Sequence, residues 1–185
     1  MNFPRAEFDQ RYERLREELL RMGADALLVT SEANFNYFTG FVAVHPWVSF
    51  SRNLIAILPV EEPPALVVPA FLADEARSQS WIERIYPTTE VGQAPIETLT
   101  KAFQDLGLRN AFIGAELGYE QRLGISVLDF RMLEEAQPEA RFVDAAPAIW
   151  ALRMRKSRPR STACEMPAGS PMPLSAGCSV NCGRR

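Results

Sequence analysis

Apolar positions along the chain keep two rhythms that alternate. Phe8, Tyr12, Leu15, Leu19 and Met22 recur in fours and threes with Arg and Glu between them, which predicts an amphipathic helix stopped by Gly23. Ala26 to Val29 is then apolar without interruption and reads as a strand covered on both faces. Thr30 and Ser31 follow; either hydroxyl can cap a short helix from Glu32 by accepting an amide N–H of its first turn. Glu32 suits the positive helix end, Phe35 and Phe38 can pack inward together, and Gly40 ends the run. Asn53 to Val60 and Ala65 to Val68 are two further strands joined across Glu61-Glu62-Pro63-Pro64 as a hairpin.

The alternation continues. A helix is expected from about Ala70 to Gln79, then a short edge strand from Ile82 to Tyr86. Pro95 opens the next helix, whose apolar face is Ile96, Leu99, Phe103 and Leu106 before Gly107. Ala111 to Ala115 reads as a strand, Leu123 to Glu135 as a helix with Leu123, Val127, Phe130 and Leu133 on one side, and Phe142-Val143 as the start of a last strand. Asp144 caps a helix that includes Ile149, Trp150 and Leu152. Helices and strands alternating to about residue 155 predict a three-layer α/β domain, a mixed sheet flanked by helices.

One segment carries unusual chemistry. Between Gly40 and Asn53 stand His45 (the only histidine), Pro46, Trp47, Phe50 and Arg52. Aromatic and ionisable groups crowded onto a loop suggest recognition more than packing. Trp47 and Phe50 either cover the sheet or make a dimer contact.

Composition narrows the class. The chain has 185 residues, 47% hydrophobic and 23% charged, which suits one soluble domain with a core of its own. A net charge of −3 gives no reason to expect nucleic acid as a partner. The N-terminus lacks the order of a secretory signal, and no apolar run approaches the ~20 residues that span a bilayer, so no membrane association and a cytoplasmic location are expected. No Gly-x-Ser-x-Gly, no phosphate-binding glycine loop and no metal-ligand cluster appears, which disfavours a self-contained hydrolase. All three cysteines (Cys164, Cys178, Cys182) fall in the last 22 residues. That is neither a disulfide framework nor a zinc site.

Several segments, in order, resemble the N-terminal domain of the creatinase, prolidase and aminopeptidase P superfamily. They are Arg11 to Gly23, Asp25-Ala-Leu-Leu-Val-Thr30, Asn34-Phe-Asn-Tyr-Phe-Thr-Gly40, Leu66-Val-Val-Pro69, Ile113-Gly-Ala-Glu116, and Phe142-Val-Asp-Ala-Ala-Pro147 through Leu152-Arg-Met-Arg-Lys-Ser157. The resemblance implies that residues 1–157 are a creatinase/prolidase N-terminal-like domain preceding a larger catalytic "pita-bread" domain. It implies that this chain is not itself an enzyme and holds no cofactor. The parent would hydrolyse a small C–N bond, as an Xaa-Pro peptidase with two divalent metal ions or as a creatinase with none. It further implies a homodimer in which this domain leans over the partner's active site. Ser49-Phe50-Ser51-Arg52 is similar to the creatinase Ser-Phe-Gly-Arg, making Phe50 and Arg52 candidates for holding a substrate carboxylate in trans. His45 sits where prolidases bring a histidine towards substrate. The alternative is a stand-alone interaction module without chemistry.

After Ser157 the pattern is lost. Residues 158–185 are dense in proline, glycine, serine and cysteine without periodicity, which predicts a disordered tail. Arg158 to Ala163 can be coded CGG CCG AGA TCG ACT GCC. One C placed before these bases turns them into codons for Pro-Ala-Glu-Ile-Asp-Cys, and the bases after them can encode Leu-Arg-Asp-Ala. The Pro-Ala-Glu-Ile so obtained resembles the Pro-x-Glu-Ile with which the family enters its catalytic domain, so the tail is expected to be out-of-frame translation of a truncated gene.

Overall fold

The computed structural model describes residues 3–42, 53–90 and 92–155. Among them, six strands form one mixed sheet in the order β4-β3-β2-β1-β5-β6: β1 Ala26–Val29, β2 Ile55–Pro59, β3 Ala65–Pro69, β4 Arg84–Thr88, β5 Phe112–Ala115 and β6 Arg141–Asp144. Only β2 runs against the rest. It pairs antiparallel with β1 and with β3, while β1/β5, β5/β6 and β3/β4 are parallel. Every residue of β1, β2 and β3 is buried, as their uninterrupted apolar runs required.

Helices cover both faces. On one side α1 (Arg5–Met22), α2 (Glu32–Thr39), α3 (Ala73–Gln79) and α6 (Ala146–Arg153) pack on Leu27, Val29, Leu58, Leu66 and Val68. On the other, α4 (Ile96–Asp105) and α5 (Val127–Ala136) pack on Leu28, Ile57, Val67 and Ile113. The three-layer expectation holds. Phe8, Phe35, Phe41 and Phe103 are among the largest fully buried side chains, and each removes enough apolar surface from water to contribute about 2–3 kcal/mol.

Local departures have local causes. The third helix begins as a single 3₁₀ turn over Ala70–Leu72. The edge strand starts at Arg84 because Ser80 Oγ accepts from the Ile82 amide and donates to Thr39 O, holding 80–82 as a turn. Helix α5 starts at Val127, not Leu123, because Ser126 caps it by accepting from the Asp129 amide at 3.0 Å. Val127, read as core-facing, is 63% exposed, while Ile125 is buried in its place. Glu7 and Arg11, read as solvent-facing on α1, are also buried.

Candidate functional site

The loop bearing His45, Trp47, Phe50 and Arg52 lies outside the described residues, as does the tail 158–185. What is described is the frame on either side of that loop. Parallel strands β1, β3, β4, β5 and β6 end, and antiparallel β2 begins, at one end of the sheet. Helix α2 and Asn53, which flank residues 43–52, therefore belong to that end. There β1 leads into α2 on one face of the sheet, while its neighbour β5 leads through α5 on the other. Such a divergence opens a crevice between two parallel strands, where doubly wound sheets place ligands.

Here the crevice is filled by the protein's own carboxylate. Glu116, the residue after β5, is 2% exposed. Its Oε2 accepts from the Thr30 amide (2.7 Å), the Thr30 hydroxyl (2.8 Å) and the Ser31 amide (2.8 Å). Its Oε1 accepts from the Ser31 hydroxyl (2.5 Å) and from Asn34 Nδ2 (2.6 Å). Thr30 and Ser31 thus do not cap α2 as expected. Their hydroxyls donate to Glu116, and Ser31 makes no side-chain cap bond. A carboxylate placed beside the positive end of α2 supplies the capping anion from another strand.

Asn34 carries the network onward. Its second Nδ2 hydrogen goes to Gln121 Oε1 (3.1 Å), and its Oδ1 accepts from Arg153 Nη1 (2.5 Å) at the end of α6. Thr30 Oγ1 also accepts from the Gly124 amide (2.9 Å). A Cβ at position 124 would stand 1.8 Å from Thr30 O, so glycine is required for that approach.

The other end of α2 is equally fixed. An α-helix leaves its last four carbonyls without intrahelical donors. In α2, Asn36 O accepts from the Gly40 amide (3.1 Å), Tyr37 O from Arg11 Nη1 (2.7 Å), Phe38 O from Trp81 Nε1 (2.7 Å) and Thr39 O from Ser80 Oγ (3.0 Å). Arg11 is buried with Glu7 at 2.9 Å, and its guanidinium lies 4.5–5.1 Å from the ring centres of Tyr37, Phe3 and Phe8. Gly40 closes the helix at φ +70° with the Phe8 ring against it. A helix this short does not persist unaided; this one is held at both ends by side chains from elsewhere in the fold.

On the far side of residues 43–52, Asn53 is buried and donates Nδ2 to Gln93 O (2.9 Å). Beside the start of α2 a cleft of about 600 Å³ is lined by Glu32, Asn36, Glu120, Arg122 and Trp150, with Glu120 in the left-handed region at φ 54°. Among the described residues no cluster of three His, Cys, Asp or Glu could hold a metal ion. No helix among them is long and apolar enough to cross a membrane. Chemically the arrangement is a mount: its hydrogen bonds are directed inward, onto other parts of the fold. In the sequence, Asn34, Glu116 and Arg153 stand out only as members of the family-like motifs. An acidic residue directly after the apolar run 111–115 was the one signal that could have marked Glu116 as a buried anchor.

Comparison with known proteins gives the mount a context. Residues 11–155 match the family model described as "Creatinase/Prolidase N-terminal domain". An uncharacterized hydrolase/peptidase of Sinorhizobium fredii is 28% identical over 163 residues, covering 84% of this chain and 40% of that protein. A creatinase of a Bacillus species is 27% identical over 156 residues, covering 84% of this chain and 35% of its own. This chain therefore spans well under half the length of these two relatives. In fold it superposes on the N-terminal domain of the cytoplasmic peptidase PepQ from Mycobacterium tuberculosis with a TM-score of 0.59 at 19% identity, over 78% of this chain and 98% of that one.

Proposed function

The chain belongs to the creatinase/prolidase N-terminal domain family, and from that premise we propose that it is the non-catalytic domain of a creatinase- or Xaa-Pro-peptidase-like hydrolase. In this reading it pairs with a second copy and presents residues 43–52 over an active site carried by its partner. Phe50 and Arg52 contact the substrate carboxylate there, and His45 approaches the substrate from the same loop. Arg52 suits the task because a guanidinium is a planar donor fork that stays charged across the working pH range. Catalysis would lie in a separate domain of the parent, with two divalent ions for a peptidase or none for a creatinase.

The observation that supports this reading is the fixation of α2. A loop meant to meet a substrate in another subunit needs a launching point that does not move. Both ends of α2 and all four of its terminal carbonyls are secured by distant residues or by the Gly40 turn.

Two measurements test it. Sedimentation velocity of the chain should give a concentration-dependent dimer. The gene carrying the restored C should yield a protein that hydrolyses an Xaa-Pro dipeptide or creatine, in which Arg52→Ala raises KM roughly 10–100-fold, the worth of a charge-assisted hydrogen bond. A monomer at every concentration, with an unchanged KM in Arg52→Ala, would leave the stand-alone interaction module as the better account.

A further inference from the structure

Ser31 and Asn34, which donate to Glu116, also line the cleft of about 600 Å³ beside the start of α2. A space of that size suits a small molecule. Three segments distant in sequence wall it. Glu32 and Asn36 are four apart on α2, and Trp150 and Arg153 are three apart on α6, so each helix turns one side to the cleft. The third wall is Glu120 to Arg122, part of the connection 116–126 between β5 and α5. That connection is longer than βα units usually need, yet it is pinned at three points. Tyr119 O accepts from Trp150 Nε1 (3.4 Å), Gln121 Oε1 from Asn34 Nδ2 (3.1 Å), and the Gly124 amide donates to Thr30 Oγ1 (2.9 Å).

The charges around the cleft are unevenly matched. Arg153 donates to Asn34, which also donates to Glu116, so that guanidinium and that buried carboxylate belong to one network. Among the described residues, Glu32, Glu120 and Arg122 make no ion pair and no side-chain hydrogen bond. Gln121 has its oxygen taken by Asn34, which leaves its NH₂ to donate. Asn36 Oδ1 is buried without a donor. The uncommitted charges are thus two carboxylates and one guanidinium, set beside an indole.

We propose that this cleft binds a free basic α-amino acid, a molecule with two cations and one carboxylate on an apolar stem. The guanidinium of Arg122 and the amide NH₂ of Gln121 take the carboxylate, for which a planar donor fork is suited. Glu32 and Glu120 take the two ammonium groups, and the methylene stem lies along Trp150, whose ring face also attracts a cation. A diamine would leave Arg122 unmatched, and a neutral amino acid would leave one carboxylate unmatched. The site lies where the chain leaves two adjacent parallel strands for opposite faces of the sheet, the place at which such sheets bind ligands. It does not depend on the function proposed above.

Calorimetric titration of the full chain at low salt tests it with three probes. L-lysine carries all three charges, cadaverine lacks the carboxylate, and L-norleucine lacks the side-chain amine. The expected result is one saturable site for L-lysine, with cadaverine and L-norleucine each weaker by roughly five- to tenfold. Glu32, Glu120 and Arg122 are exposed, so replacing them leaves the core untouched. Arg122→Gln should bring L-lysine down to the affinity of cadaverine while leaving cadaverine itself no weaker, which assigns the carboxylate to Arg122. Glu32→Gln and Glu120→Gln should each weaken L-lysine by a similar factor. Absence of saturable L-lysine binding would overturn the proposal. So would equal affinities for the three probes, or an L-lysine affinity indifferent to Arg122→Gln.

Discussion

Asn34 on α2 and Glu116 at the end of β5 are hydrogen-bonded at 2.6 Å although 82 positions separate them. That bond converts a short, weakly helical stretch into a fixed part of the sheet's end. It also makes one buried carboxylate responsible for five donors at once.

Replacing Glu116 by Gln is therefore costly. An amide offers a single oxygen; placed at Oε2 it keeps three donors, but its NH₂ then faces Asn34 Nδ2. Rotating Asn34 to accept would break its bond from Arg153. One buried donor is left unmatched either way, and the expected loss is about 2–3 kcal/mol. Urea denaturation should show a lower midpoint with an unchanged slope.

Gly40 and Gly23 separate two kinds of glycine dependence. Both end a helix at φ +70°. At Gly23 an added Cβ meets nothing within 4 Å, so Gly23→Ala should cost only the left-handed strain, about 1–2 kcal/mol. At Gly40 the Cβ would meet Phe8 Cζ at 2.6 Å. Phe8 is fully buried and has nowhere to retreat, so Gly40→Ala adds about 1–3 kcal/mol of overpacking to the same strain. Chemical denaturation of both variants checks the difference, and Phe8→Leu should recover part of it only in the Gly40→Ala background.

The layers of this fold were legible because each rests on a short-range pattern: the 3.6-residue seam of α1, the apolar runs of β1 to β3, and the glycine stops. The mount was not, because its parts are joined across the chain. Thr30 and Ser31 have every local mark of helix caps, and nothing near them announces that Glu116 will take their hydroxyls. Glu7 and Arg11, four apart on α1, look like a surface ion pair; the aromatic wall of Phe3, Phe8 and Tyr37 that buries them gathers from three places. The family resemblance named the motifs containing Asn34, Glu116 and Arg153, but only the fold brings those three side chains into one network.

Tyr12 links stability to high pH. Its hydroxyl donates towards Pro59 O (2.5 Å) and Glu62 O (3.1 Å), tying α1 to the hairpin. Burial pushes its pKa up to about 12, and the Arg16 guanidinium nearby offsets only part of that. In the unfolded chain the phenol ionises near its ordinary value of 10.0. The folded state thus holds the proton more tightly, so this contribution is complete below pH ~10 and falls away as pH rises towards ~12, by about 3 kcal/mol in all. Unfolding free energies measured across that window should decline, and Tyr12→Phe, less stable at neutral pH by about 1 kcal/mol, should lose that part of the slope. A slope unaltered in Tyr12→Phe would assign it to other groups.

The reading frame after Ser157 is open to one sequencing run. Helix α6 ends at Arg153, with Leu152 and Arg153 bonded to α2, and the residues from Arg158 onward carry no apolar period that could extend or pack such an element. With the codons CGG CCG AGA TCG ACT GCC for Arg158 to Ala163, a single added C gives Pro-Ala-Glu-Ile-Asp-Cys, and the bases after them can encode Leu-Arg-Asp-Ala. There proline takes a first-turn position, acidic residues come after it, and Ile and Leu recur at the spacing of one helix face. A run of sensible residues in the family's order is a demanding coincidence for an arbitrary frame. Sequencing genomic DNA across codons 150 to 190 is expected to find that base. Its presence would make Cys164, Cys178 and Cys182 products of the wrong frame and direct attention to what the restored frame encodes. Its confirmed absence would make residues 158–185 the gene's own product, and the domain's role would then have to be sought in what it binds.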